Sequence, residues 1–249
     1  MVTACKVNLA VALAEHLGLR VGLLDADVYG PSIPTMMNIR GRPSVDEDER
    51  MLPLVNYGVR CMSMGFLMDQ DVAAVWRGPM VMSALNTFMT KVNWGPLDVL
   101  VLDMPPGTGD AQISISQRLQ LSGAVIVSTP QDIALIDARR GCTMFRTVKV
   151  PILGILENMS YYHCPKCGNE DTIFGSGGVD RAASDLGMEV LGKIPLHSIV
   201  RETSDCGAPV VHSEPDSAPA RAYKSVAERV WQKLVAKGEE QQAPKIVIE

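Results

Sequence analysis

Leu97-Asp98-Val99-Leu100-Val101-Leu102-Asp103-Met104-Pro105-Pro106-Gly107 is a short run of leucine and valine that closes on an aspartate and a Gly/Pro turn. It has the length of a strand, and its apolar stretch from Val99 to Leu102 has the character of one buried in a sheet. Arg20 to Leu24 repeats the pattern and closes on Asp25-Ala26-Asp27. Upstream, Val7, Ala10, Leu13 and Leu17 recur at helical spacing and stop at Gly18, a residue suited to the position just past a helix end. Between the two strands, Leu52 to Val55 and Val59 to Met64 form short strands around an Asn56-Tyr57-Gly58 turn, and Val81, Leu85, Phe88 and Val92 mark a helix face. Downstream the alternation continues: strand at Ala124 to Ser128, helix at Ile133 to Val148, strand at Ile152 to Leu156, helix at Val179 to Leu186, strand at Val190 to Ile194. Strands separated by helices predict an α/β fold, a doubly wound, mostly parallel sheet with helices on both faces. Asp216 is placed to cap a last helix whose face is Tyr223, Val226, Val230 and Leu234. The expected organisation is a single domain over residues 1–237 and a disordered tail over 238–249. The most loop-like stretches are Arg40 to Arg50 and Tyr161 to Gly178.

Composition narrows the function classes. The chain has 249 residues, 47% of them apolar, enough for a buried core, and no apolar run approaches the roughly 18 residues of a membrane span. Lys and Arg number 23 against 28 Asp and Glu, a net charge of -5 with both signs scattered, so neither nucleic acid nor an anionic membrane is an expected partner. Six cysteines are too few and too irregular for a disulfide scaffold, which points to a reducing compartment. Glu15, His16 and Arg20 interrupt the only N-terminal stretch that resembles a secretory signal, so any address is expected upstream of Met1. Cys5, Cys61, Cys142 and Cys206 read as buried inert thiols, and His16, His197 and His212 as isolated residues without a role.

In an open α/β sheet, ligands bind outside the carboxyl ends of the strands. There the chain is polar: Asp25 and Asp27 follow one strand, Asp103 and Asp110 bracket Pro105-Pro106-Gly107-Thr108-Gly109, Thr129-Pro130-Gln131-Asp132 follows a third, and Glu157-Asn158 a fourth. An apolar strand ending in aspartate and a Gly/Pro turn suits a loop that orients Mg2+ and lets backbone N–H groups approach a phosphate. One such aspartate would be no more than a turn or cap, but two loops with two carboxylates each favour a cation and phosphate site.

Cys164-Pro165-Lys166-Cys167-Gly168 is a chelating spacing for zinc or an iron-sulfur cluster. One pair supplies two of four preferred ligands. A two-fold dimer would complete the set with the same pair from a second copy, whereas His163 or Cys206 would be needed to close a site within one chain.

In this order, Gly22-Leu23-Leu24-Asp25-Ala26-Asp27-Val28-Tyr29-Gly30-Pro31-Ser32, Trp76-Arg77-Gly78-Pro79-Met80, Leu102 to Asp110, Ser128 to Asp132, Glu157-Asn158-Met159-Ser160 and the C-x-x-C cover nearly the whole chain. Together they resemble the Mrp-type iron-sulfur carrier ATPases of the deviant-Walker P-loop class. Asn56-Tyr57-Gly58-Val59 and Cys61 to Phe66 look most like that family's mitochondrial branch, which helps assemble respiratory complex I. The resemblance implies roles. Asp27 would be the switch I aspartate that handles attacking water, with Asp25 beside it; Asp103 would belong to the Mg2+ shell; Gly107 would be the switch II glycine. Asn158 would read adenine under a loop around Pro195, and Cys164 and Cys167 would hold a [4Fe-4S] cluster bridging two protomers. It further implies a homodimer that passes its cluster to apo-proteins, complex I subunits among them, in the mitochondrial matrix or, alternatively, the cytoplasm.

The family also opens with a strand and a Gly-Lys-Gly-Gly-Val-Gly-Lys-Ser/Thr loop. Here Met1-Val2-Thr3-Ala4 matches only the end of that loop: Thr3 stands at the Mg2+ hydroxyl, and Val2 where the second lysine belongs. Losing several charge-assisted hydrogen bonds to phosphate lowers affinity by roughly three decades, so weak ATP binding, no hydrolysis and a truncated gene product are expected. The competing functions are a ParA/MinD-like positioning ATPase, which needs no C-x-x-C, and a zinc-stapled binding module without turnover.

Overall fold

The structure is a computed structural model that describes residues 2–27, 30–67, 78–105, 107, 109–164 and 166–242. Helix α1 (Val2–Val11) continues as a π-helical turn over Ala12–His16 and stops at Gly18, whose φ of 68° is left-handed and suits a residue without a Cβ. β1 (Val21–Asp25), the short α2 (Ile33–Met36) and the hairpin of β2 (Leu54–Asn56) and β3 (Val59–Ser63) follow. Then come α3 (Gly78–Thr90), β4 (Val99–Asp103), α4 (Asp110–Arg118), β5 (Ala124–Ser128), α5 (Asp132–Thr147) and β6 (Ile152–Glu157). A small hairpin, β7 (Tyr162–His163) and β8 (Glu170–Asp171), precedes α6 (Gly178–Asp185), β9 (Val190–Lys193), α7 (Ser198–Asp205), α8 (Val210–Ser213) and α9 (Ala218–Gln242).

The strands pair as expected in direction but divide into two sheets, β2-β3-β1-β4 and β5-β6-β9, parallel throughout except for the β2/β3 hairpin. Among the described residues β4 pairs only with β1, and β5 only with β6. Their other edges border one apolar cavity of about 580 Å3, lined by Leu9, Leu102, Val125, Leu153 and Trp231 among others. Every residue of β1 is buried, whereas Leu100 in β4 is 39% exposed. The expected single sheet is thus interrupted at a seam between β4 and β5.

Two apolar clusters support the halves. Leu13, Leu23, Leu24, Ile33, Met62 and Tyr223 belong to the larger, which ties α1 and α9 to β1 and β3, while Ile126, Leu135, Ile155 and Val179 anchor the smaller between β5, β6, α5 and α6. Each fully buried side chain of this size contributes about 1.5–3 kcal/mol.

Several elements differ from the sequence reading. Ser217, not Asp216, caps α9, its Oγ accepting from the Ala220 N–H at 3.3 Å. α9 runs through Gln242, so residues 238–242 of the expected tail are helical, and 243–249 lie outside the described residues. The loop from Tyr161 contains the β7/β8 hairpin, whose two-residue strands are too short to show a period. α4 and α7 escaped notice because their sequences are largely polar, with Ile115 in α4 and Ser204 in α7 fully buried.

Candidate functional site

Register alone assembles the first half of the site. Asp25 at the end of β1 is the partner of Ser63 in β3 on one side and of Asp103 in β4 on the other. Asp25 and Asp103 are each 1% exposed. Asp25 accepts hydrogen bonds from the Ser63 hydroxyl at 3.0 Å and the Asp27 N–H at 3.2 Å. Burial, and secondarily the neighbouring Asp103, still push its carboxyl up to about 7. Burial likewise raises Asp103, opposed by Lys6 and by the Thr3 hydroxyl, which hydrogen-bonds to it. The Lys6 ammonium reaches across from α1 to Asp103 Oδ1 and to the Met104 carbonyl at 3.3 Å. Asp103 Oδ2 and Asp27 Oδ1 remain buried without a hydrogen-bond partner among the described residues. Two orphaned carboxylate oxygens, one of them on the aspartate that the Thr3 hydroxyl contacts, fit a hard divalent cation with oxygen ligands.

Gly107 follows β4 with φ 98°, a left-handed conformation that suits glycine, and a Cβ there would stand 3.6 Å from the Gln112 amide nitrogen. That amide donates to the Pro105 carbonyl at 3.2 Å and so braces the loop from α4. Asp110 opens α4; its side chain, and Val28, Tyr29, Trp76, Arg77, Pro106, Thr108 and Pro165 of the motifs, lie outside the described residues.

The second sheet presents its own row: Glu157 of β6 is the partner of Ser128 in β5 and of Lys193 in β9. Asn158 follows, 5% exposed, its N–H donating to the Ser128 carbonyl at 2.7 Å. Pro195 is buried in the segment beyond β9, whose Ile194 carbonyl accepts from the Ser160 N–H at 2.9 Å. Asn158 and the segment carrying Pro195 therefore share one corner.

Beyond that corner the β7/β8 hairpin carries the cysteine pair. Cys164 is half-buried and Cys167 exposed. The backbone N–H groups of Cys167 and Lys166 and the Cys167 thiol hydrogen-bond to the Cys164 sulfur and hold its thiol below the usual range, favouring the thiolate that binds metal. His163 instead faces Glu170 at 3.9 Å, and Cys206 ends α7 as an exposed residue, not a buried one. No group of three or more His, Cys, Asp and Glu side chains suited to a metal ion gathers among the described residues. Cys5, Cys61 and Cys142 are buried as expected, and burial pushes the Cys5 thiol up to about 11 and the Cys61 thiol up to about 12. The histidines are engaged: His16 contacts Glu228 at 2.7 Å, His212 contacts Glu15 at 2.8 Å, and His197 caps α7.

The model of the NUBPL iron-transfer P-loop NTPases, within the ParA group, matches residues 3–231. The chain belongs to that family. It is 60% identical over 228 residues to the Arabidopsis thaliana "iron-sulfur protein required for NADH dehydrogenase, mitochondrial", covering 92% of this chain and 73% of the relative. To the Mus musculus "iron-sulfur cluster transfer protein NUBPL" it is 56% identical over 229 residues, 92% of this chain and 72% of the relative. Among solved structures, the nucleotide-binding protein of Archaeoglobus fulgidus in complex with ADP superposes with a TM-score of 0.73 at 36% identity, covering 85% of this chain and 82% of that one. Membership agrees with the fold. Lys6, Ser63, Gln112 and Ser160 were not singled out as site residues in the sequence. Only Ser63 had a usable signal, its place at the end of the strand beside β1.

Proposed function

We propose that this NUBPL-family chain is an iron-sulfur cluster carrier that delivers its cargo to apo-proteins in the assembly of mitochondrial NADH dehydrogenase. Cys164 and Cys167 hold the cluster, and the same pair of a second copy completes a bridging [4Fe-4S] set. The observation that carries this reading is the half-exposed hairpin whose backbone N–H groups favour the Cys164 thiolate while no third ligand joins it among the described residues. Two thiolates per chain leave a cluster accessible and transferable, whereas a four-ligand set in one chain suits a structural metal. Names of the Arabidopsis and mouse relatives support the cargo and the destination.

The carboxylate row is assigned to Mg2+ and nucleotide. Asp103 and Asp27 would hold the ion with the Thr3 hydroxyl, and the ion would neutralise phosphate charge there. Asp25 keeps Asp27 and Ser63 in place, Gly107 brings backbone N–H near the phosphate, and Asn158 with Pro195 encloses the base.

Anaerobic reconstitution with iron and sulfide tests the proposal. Expected are about four iron and four sulfide per two chains and dimers that appear only on loading, with Cys164→Ala losing the cluster absorbance. A cluster retained by Cys164→Ala, a loaded monomer, or half a zinc per chain without iron overturns it.

A further inference from the structure

Glu157 is a carboxylate in a place where carboxylates are costly. Its side chain is 2% exposed, and its Oε2 has no hydrogen-bond partner among the described residues. Oε1 accepts from the Ser160 hydroxyl, and the Lys193 ammonium stands 4.0 Å from Oε2 while also reaching Asp180 at 2.8 Å. One side chain therefore joins three pieces: the end of β6, the strap that leaves it, and the end of β9.

The strap is what matters. It turns sharply at Met159, which has a left-handed φ of 55° and donates its N–H to Asn158 Oδ1 at 3.1 Å. Ser160 N–H then donates to the Ile194 carbonyl at 2.9 Å, the Leu196 N–H donates to the Tyr161 carbonyl at 2.7 Å, and Tyr162 bridges Leu196. Directly beyond lie Tyr162 and His163 of β7, then Cys164, whose N–H donates to the Asn169 carbonyl at 2.9 Å. Asn158 and Cys164 thus sit on one short strap, zipped to the segment that carries Pro195. Among the described residues the Ser160 side chain is the strap's one side-chain tie to buried charge, set between the Asn158 corner and the cysteine hairpin.

We infer that the Glu157–Ser160 hydrogen bond is a latch that positions the Cys164/Cys167 hairpin and thereby sets how fast the cluster leaves; Glu157 and Ser160 are positioning residues. The inference rests on the carrier reading for the identity of the cargo but not for the mechanics of the hairpin. No bond to the cluster is made or broken by either residue. Opening the latch removes the strap's side-chain anchor while its backbone bonds to the Pro195 segment remain, and so loosens the base from which the hairpin projects.

The test uses the full chain, loaded anaerobically, with a ferrous-iron chelator drawing the cluster out. Ser160→Ala is expected to load the same iron and sulfide but release it about tenfold faster, the equivalent of about 1.4 kcal/mol. Ser160→Cys, close in volume and only a weak donor, should shift the rate in the same direction. Glu157→Gln keeps an acceptor oxygen for Ser160 and should release within about twofold of the parent chain. Release at the parental rate from Ser160→Ala, or equally fast release from Glu157→Gln, overturns the latch. In the metal-free chain, alkylation of Cys164 read by peptide mass spectrometry should quicken in Ser160→Ala and not in Glu157→Gln, with exposed Cys206 as the internal standard. If no variant or parent loads a cluster, the carrier reading fails, and the alkylation rates still decide the latch: equal rates overturn it.

Discussion

Two rows of three side chains end the two sheets, and they solve the problem of buried charge in opposite ways. Ser63, Asp25 and Asp103 put two carboxylates next to each other, with Asp27 close by and, among the described residues, the Lys6 ammonium to oppose them. Ser128, Glu157 and Lys193 set one carboxylate beside one ammonium. The first row holds surplus negative charge, which is why we assign it to a cation from outside; the second also leaves Glu157 Oε2 without a hydrogen-bond partner among the described residues, but it carries its own counter-ion and behaves as a joint. Asp25, Asp103 and Glu157 are equally buried, each 1% exposed, so it is the balance of charge around them, not their depth, that distinguishes the two rows.

Core substitutions should break the symmetry between the halves most strongly. Ile155→Ala, at a fully buried position of β6, is expected to cost about 2–5 kcal/mol in urea unfolding. Leu100→Ala, on the seam face of β4 at 39% exposure, should cost less than about 1 kcal/mol. Equal costs would mean that the seam is filled in solution.

The carboxylate row should next show itself in pH. Because the folded Asp25 value, about 7, lies above the ordinary 3.8, the unfolded chain releases that proton first. Stability from this group is complete below about pH 4, is lost as pH rises toward 7, and is flat above. Asp25→Asn should remove up to roughly 4 kcal/mol of that decline and melt higher than the parent chain at pH 8, with no difference near pH 3. A parallel decline in both proteins would place the titrating group elsewhere. Adding Mg2+ at ten times its Kd should raise stability by about 1.4 kcal/mol, and Asp103→Asn should abolish the gain; an undiminished gain would move the cation site off this row. The smallest effect is expected on the second sheet's surface: Arg139→Ala removes an exposed ion pair with Asp185 at 2.7 Å and should change stability by less than about 0.5 kcal/mol in thermal unfolding.

Much of the fold was legible because β1 and β6 are buried almost throughout and read as unbroken apolar runs, and because α5 and α6 carry a helical period of their own. The carboxylates were legible for the same reason, since a strand that ends in aspartate announces its carboxyl edge. Lys6 and Ser160 were not: one lies a turn inside an apolar helix, the other in a strap without periodicity, and each acquires meaning only from a partner, Asp103 in one case and Glu157 in the other. Cys206 was misplaced because an apolar neighbourhood in sequence does not guarantee an apolar neighbourhood in space.

Residue order by itself determined the strands of the two main sheets and which side chains stand near their ends, because period and composition are local properties. Tertiary structure alone decided that Asp25 lies between Ser63 and Asp103, that Glu157 lies between Ser128 and Lys193, and that a seam separates β4 from β5. Those are matters of register between segments far apart in the chain, and hydrogen bonding across a sheet, which no local pattern encodes, is what sets them.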